Sequence, residues 1–472
     1  MKRILMAAAA AVFGLPALAQ TFTSATFVNG LTLSGGALDL SSGSDFDRRN
    51  GYFSDIYYDR ARNEWWGLSD RGPGGGTLSY ETRVQRFTLD VDSNTGAISS
   101  FQVVQTLKFS DNGQAFNGLA PTMPGVLGRS FDPEGFVVNP VSGNLLVSDE
   151  YGPSLKEFDR SGNLLRSYAA PANLVPQVSA TVDYTAAPPT LTSGREPNRG
   201  LEALAISPDG RYAYAVLQNG TVQDGWTATS RGQYSRIVKY DTATGLAVGQ
   251  YAYKLESSAQ GRGISALVAL GNDRFMILER NNRGLGVGAT LASPDKNVFM
   301  VDLAGAVDVT GINLPATGAF AGAVTKGAKV IDLDANTLVA LGNKSPEKWE
   351  GLAVGPRLAN GQYLVLAGTD NDYSVTQNGT GTQFDVYYRF NDADPYASSI
   401  QCPAGQTVNC FLTASSTTAA TLGADFQLLP GVLHAYTATI DGYVTPVPEP
   451  GTTLLMLSGL LAVGMVAKRR GR

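Results

Sequence analysis

Short apolar runs recur along the chain at close intervals. Residues 135–139 (GFVVN), 144–148 (NLLVS), 212–217 (YAYAVL), 274–278 (RFMIL) and 363–367 (YLVLA) are each about strand length, and most are bounded by Gly, Asn, Asp or Pro. Runs with a helical apolar period are scarce. The strands belong to a longer repeated unit, seen at 132–150, 198–218, 262–279 and 348–369, with a weaker copy first at 52–70. Most copies open on a Glu-Gly-like or Gly-bearing pair, then give an apolar strand, a turn, a second apolar strand and a polar end. A third strand bearing Phe or Tyr and an acid follows several copies, at 156–160, 236–241 and 297–303.

A unit of this kind cannot bury both faces alone, so copies must stack around an axis. The pattern therefore predicts an all-β fold, a β-propeller. Five copies are visible; a sixth blade is expected from the chain ends, residues 23–33 pairing near 434–443. Residues 169–194 and 221–232 are expected to be loops between strands. A β-helix or a pair of β-sandwiches is the rival arrangement.

The two ends read differently. Lys2 and Arg3, the apolar run 4–18 and the small residues Ala17 and Ala19 compose a secretory signal peptide over residues 1–20. Near the other end an uncharged run, 451–467, precedes Lys468, Arg469 and Arg470. Its length is near the lower limit for a membrane-spanning helix, roughly 17–25 residues. A C-terminal apolar helix is expected there, with its basic end cytoplasmic. The preceding Val447-Pro448-Glu449-Pro450 resembles the PEP-CTERM sorting signal. That resemblance implies an exosortase-type partner, transient membrane anchoring through the helix and delivery to the cell surface or matrix. A plain C-terminal anchor is the alternative. The expected domain is residues 21–446, and the sorting region 447–472.

The net charge is -5, and setting aside six bases and one acid in the two ends leaves -10 on the domain. An acidic exported domain is poorly suited to nucleic acid and well suited to hard cations. Cys402 and Cys410 are close enough to pin a small loop, and export permits a disulfide. With one histidine, His434, neither a zinc site nor a Ser-His-Asp triad is well supported. No G-x-S-x-G elbow is present, and Ser345–Lys348 fits S-x-x-K by letter only, without the partner motifs.

The repeats place Asp132, Glu134, Glu202 and Glu350 at their starts. Asp70-Arg71, Asp149-Glu150, Glu279-Arg280 and Asp370-Asn371-Asp372 close their second strands, and Arg199 and Lys348 precede two of the opening glutamates. Converging carboxylates repel one another unless a cation neutralises them. Ca²⁺ is the expected ion. Arg71, Arg199, Arg280 and Lys348 are the expected anion-binding groups for a phosphate ester. The bland reading of each acid is a strand cap or a bridge between sheets.

Taken together, DPEGFVV, NLLVSDEYGPSLKEFDRSG, NRGLEALAISPDGRYAYAVLQN, RGISALVAL, FMILERNNRG and WEGLAV resemble the phytase-like domain family, described by an esterase-like activity of phytase. The resemblance spans residues 45–442 and implies a β-propeller that binds or hydrolyses phosphate esters. Within its motifs lie Asp132, Glu134, Asp149, Glu150, Arg199, Glu202, Glu279, Arg280 and Glu350. Repeat position and resemblance together mark Glu134, Glu150, Glu202 and Glu350 as catalytic carboxylates. Asp132, Glu134, Asp149, Glu150, Glu202 and Glu279 are the expected metal ligands. Few lysines make a poor match for densely anionic phytate itself. The competing function is a non-catalytic surface propeller that binds polysaccharide or protein, in which Trp65, Trp66 and Trp349 would stack on sugars, although core packing is the expected role of each.

Overall fold

A computed structural model describes residues 25–446 except 260, 289 and 377–382. The chain is all-β, and its only helical elements among these residues are single 3₁₀ turns. Four antiparallel sheets of four strands follow one another in sequence. Each is built in chain order from its first strand outward: Asp55–Asp59, Pro133–Val138, Leu201–Ile206 and Gly263–Gly271 are the first strands. A fifth four-stranded sheet begins with Trp349–Arg357 and Tyr363–Thr369. It is completed by Gly431–Ala438 and, outermost, by Thr26–Leu33.

The chain ends therefore pair as expected, Thr26 opposite Thr437 through Leu33 opposite Gly431. They do not make a sixth sheet of their own, because the hydrogen-bonding edge of Tyr363–Thr369 takes Gly431–Ala438 first. The first strands pack against one another in chain order, and that of the fifth sheet returns to that of the first. Every residue of Pro133–Val138 and Leu201–Ile206 is buried, whereas the outer strand Leu164–Ser167 alternates between half-buried and exposed. That gradient is what a strand covered on both sides and one covered on a single side should show.

The Glu-Gly pairs have a steric cause. A Cβ on Gly135 would lie 2.6 Å from the Leu204 nitrogen, and one on Gly351 would lie 2.6 Å from Ile56 Cγ1. Neighbouring first strands approach too closely there for any side chain. Asp55 ties the strands further, accepting from the Phe136 N–H at 2.8 Å. Apolar layers fill the wedges between sheets, such as that of Trp66, Leu68, Phe136, Val147 and Phe158. Trp65, Trp66 and Trp349 are all buried within such layers, so their role is core packing and not stacking on a ligand.

Between Thr369 and Gly431 the chain leaves the fifth sheet and forms a separate five-stranded sheet. Cys402 and Cys410 are bonded there, joining Ile400–Pro403 to Cys410–Leu412. Residues 1–20 and 451–467 lie outside the described residues. Among the described ones no helix is long and apolar enough to cross a membrane.

Candidate functional site

Glu134, Glu202 and Glu350 are each the second residue of a first strand. Equivalent positions in adjoining sheets bring their carboxylates to one end of the ring. The second strands run back to the same end and deliver Asp70, Glu150, Arg280 and Asp370. Ligand oxygens of Asp132, Glu134 and Glu150 all fall within 4.8 Å of one another, and all three residues are buried.

Arg71 binds two members of this group, forming a short ion pair with Asp132 and reaching Glu150 Oε2 at 3.4 Å. Arg280 donates from Nε to Ser265 Oγ at 2.8 Å and pairs closely with Glu350. Lys348 pairs with Asp370, with Asp372 at 2.9 Å and with Glu350 at 3.7 Å. Gln218 links Arg199 to Glu202, accepting from the first and donating to the second at 2.6 Å. Even so, Asp132 Oδ1, Glu150 Oε1 and Glu350 Oε2 are buried without a hydrogen-bond partner. Orphaned carboxylate oxygens at this depth are costly.

Burial dominates the titration of the group. It pushes the Glu134 carboxyl well above its usual range, and the charges of Glu202, Asp132 and Glu150 push it further. Burial likewise raises Glu202, with Glu150 and Glu350 adding repulsion. It raises Asp132 against the pull of Arg71, and Glu350 against those of Lys348 and Arg280. Asp70 and Asp370 are each pushed up to about 7 by burial, and in Asp70 the charge of Asp370 adds to it. A carboxylate set that resists ionisation in this way accommodates either protons or a metal ion. Asp132, Glu134 and Glu150 are the residues that could hold such an ion.

Three expected ligands fall outside this trio: Glu202, which Gln218 holds, together with Asp149 and Glu279. Asp149 is committed: Oδ2 pairs with Lys156 at 2.5 Å, and Oδ1 accepts from the Asp132 and Tyr151 amides at 3.2 and 3.0 Å. It positions Asp132 from behind. Glu279 precedes Arg280 on one strand, so the two side chains face opposite ways, and Arg280 takes the face toward Glu350. Glu279 is held by Arg262, Lys326, Tyr253 and the Glu256 amide at 2.7, 2.9, 3.0 and 2.7 Å. Its oxygens are saturated, which makes it a structural bridge between the third and fourth sheets.

A cleft of about 830 Å³ is bordered by the basic groups that pair with these carboxylates, a size suited to a small organic ligand. Arg71, Arg199, Arg280 and Lys348 all line it, so the four expected anion-binding groups converge on one space. Glu347 and Asp372 are the acids on its walls, and the five-stranded sheet roofs it with Tyr388, Gln401 and neighbours. These roof residues belong to no repeat and carried no signal in the sequence. Arg195 was also missed; it is buried and donates to the Tyr151 carbonyl at 2.7 Å. At the opposite end of the first strands a small, mainly apolar cavity of about 50 Å³ is too small for a substrate. His434 is fully buried between Phe27 and Trp349, and burial lowers its pKa to about 3. It takes no part in the cleft.

An "Uncharacterized secreted protein" of Arthroderma benhamiae is 25% identical over 415 residues, covering 68% of this chain and 80% of that protein. Among solved structures, a putative 6-phosphogluconolactonase from Bacteroides uniformis matches at 12% identity over 74% of this chain and 83% of its own, with a TM-score of 0.29. A Dos1 propeller matches at 11% identity over 82% and 68%, with a TM-score of 0.24. Scores this low support no inference. Residues 446–470 match the PEP-CTERM protein-sorting motif, which implies recognition by exosortase sorting machinery. That motif and the secreted relative together indicate export. Because residues 48–373, more than half of the chain, match the Phytase-like family described as "Esterase-like activity of phytase", the chain belongs to that family.

Proposed function

We propose that this chain is an exported hydrolase of phosphate esters that works with a divalent cation, Ca²⁺ first. The observation that carries the reading is the stacking of two opposite layers. Below lie Asp132, Glu134 and Glu150, all buried, with an orphaned oxygen on Asp132 and another on Glu150. Above them lie Arg71, Arg199, Arg280 and Lys348 on the walls of one cleft. Hard cations take about six to eight oxygens, and the three carboxylates suit that demand. Family membership points the same way, toward a hydrolase.

When bound, the ion would neutralise the carboxylates and polarise a phosphoryl oxygen. The chain's own groups do the rest. Arg199, Arg280 and Lys348 bind the phosphoryl oxygens and oppose the charge that develops on them. Glu202, held by Gln218 and raised above the usual carboxylate range by burial, is the group placed to pass a proton to the departing ester oxygen. Arg71 holds Asp132 and Glu150 together beneath the reacting group.

The five four-stranded sheets are, in this reading, the blades of one propeller. The cyclic packing of their first strands supports it. The five-stranded sheet is then an insertion in the fifth blade that roofs the site. Residues 447–472 would tether the precursor to the membrane before sorting. Buried tryptophans weaken the alternative of a polysaccharide-binding surface protein.

The test is hydrolysis of 4-nitrophenyl phosphate and of phytate by the purified chain, with Ca²⁺ and after chelation. Activity that disappears on chelation and in Glu202→Gln supports the reading. A folded chain inactive on both substrates in every condition sinks it.

A further inference from the structure

Arg71 is followed by Gly72-Pro73-Gly74-Gly75-Gly76, a turn beside the cleft. Gly74, Gly75 and Gly76 have φ of 80°, 57° and 82°, a run of left-handed backbone that few side chains tolerate. Gly74 and Gly76 are buried, and Gly75 is half-buried on the cleft wall. Among the described residues, none of their three amide N–H groups donates to a protein acceptor.

The groups around them are committed. The Gly72 N–H donates to Asp70 Oδ1 at 3.0 Å. The Gly76 carbonyl accepts from the Ala120 N–H at 2.9 Å, and the Gly74 carbonyl from the Thr77 N–H and hydroxyl at 3.1 and 2.6 Å. Thr77 also accepts from Gln383 of the roof at 3.0 Å. The loop is thus held in place while three successive amides stay free. Gly74 and Gly76 are buried, and buried amides without an acceptor are rare in folded proteins, so the loop offers donors that the protein itself does not use.

Two side chains point to the same ligand. Arg71 is only 7% exposed and borders the cleft, and its Nε is buried without a partner. Arg199, half-buried on the cleft, donates only to the neutral Gln218 side chain and Asn198 carbonyl. Successive amides in a positive-φ turn make a concavity for anions, and guanidinium groups match tetrahedral oxyanions.

We propose that the amides of Gly74, Gly75 and Gly76, with Arg71 and Arg199, cradle a tetrahedral oxyanion: the phosphoryl group of the ester or the phosphate released from it. The choice of phosphate rests on the hydrolase reading above; the anion site itself does not.

The test is a titration of the whole chain, labelled with [15N]glycine, with inorganic phosphate in the presence and absence of Ca²⁺. Gly75→Asn identifies the Gly75 amide signal, since Asn tolerates this backbone. If that variant fails to fold, Gly74→Asn serves instead. The expected result is that the 74–76 amides shift most and saturate together, and that Arg199→Gln weakens phosphate binding about tenfold or more. Shifts confined to other glycines, or no shifts up to saturating phosphate, overturn the cradle. Loop shifts in a chain without phosphoesterase activity would sustain the cradle and sink the hydrolase.

Discussion

Replacing Arg71 by Met isolates the electrostatics at the base of the cleft. Arg71 is the cation shared by Asp132 and Glu150, whose side chains are 0% and 1% exposed. Removing one partner of a buried ion pair costs about 3–5 kcal/mol, because the remaining charge is left in a poor solvent. The entropy of unfolding is about 2.1 cal/mol/K per residue, or about 0.9 kcal/mol/K over about 420 residues. Arg71→Met should therefore melt about 3–6 °C below the parent in chelator, as read by calorimetry. Saturating Ca²⁺ should close much of that gap, since an ion among Asp132, Glu134 and Glu150 neutralises the same carboxylates. A variant that melts within about 1 °C of the parent in chelator would refute the energetics. A gap that Ca²⁺ leaves unchanged would refute the placement of the ion.

Other outcomes follow from the same geometry. Gly135→Ala should destabilise the ring by about 1–3 kcal/mol in denaturant unfolding, because its methyl would overlap the Leu204 backbone. Glu279→Gln should lower stability by a similar or larger amount, about 3 kcal/mol, yet leave Ca²⁺ affinity unchanged in calorimetric titration. His434 has a folded pKa of about 3 against 6.5 unfolded, so the unfolded chain binds the extra proton. Its contribution is complete above pH 6.5 and is lost as pH falls from there toward 3, up to roughly 4–5 kcal/mol. His434→Leu should thus lose less stability than the parent between pH 7 and 4, measured by urea midpoints. Asp70 and Asp370, raised to about 7, act in the other direction, their contribution being lost as pH rises from about 4 through 7. Subtracting the variant's curve from the parent's removes them from the comparison.

Much of this architecture was legible in the chain because it is local and repeated. A run such as FVVNPVSGNLLVSDE, residues 136–150, shows strand, turn, strand and polar end without any long-range information. The repeated Glu-Gly start also put Glu134 and Glu350 at equivalent places. What escaped is non-local. The reading of residues 23–33 and 434–443 as paired end strands needed no more than the sequence, but the edge they join depends on which hydrogen-bonding groups Tyr363–Thr369 leaves open. The roof over the cleft has no second copy to compare, and its strands are short. Orientation was the other blind spot. Glu279 and Arg280 are adjacent, so only one can face the axis, and the letters alone do not say which. Asp149 and Glu150 pose the same choice, settled by Lys156 on one side and Arg71 on the other.

The central claim is that Asp132, Glu134 and Glu150 hold a divalent cation beneath an anion-binding cleft. Calorimetric titration of Ca²⁺ into the chelator-treated chain and into Asp132→Asn tests it most directly. Saturable binding to the parent, weakened at least about tenfold in the variant while Glu279→Gln binds normally, is the expected result. Equal affinity in the parent and Asp132→Asn, or no binding to a folded parent, would contradict it.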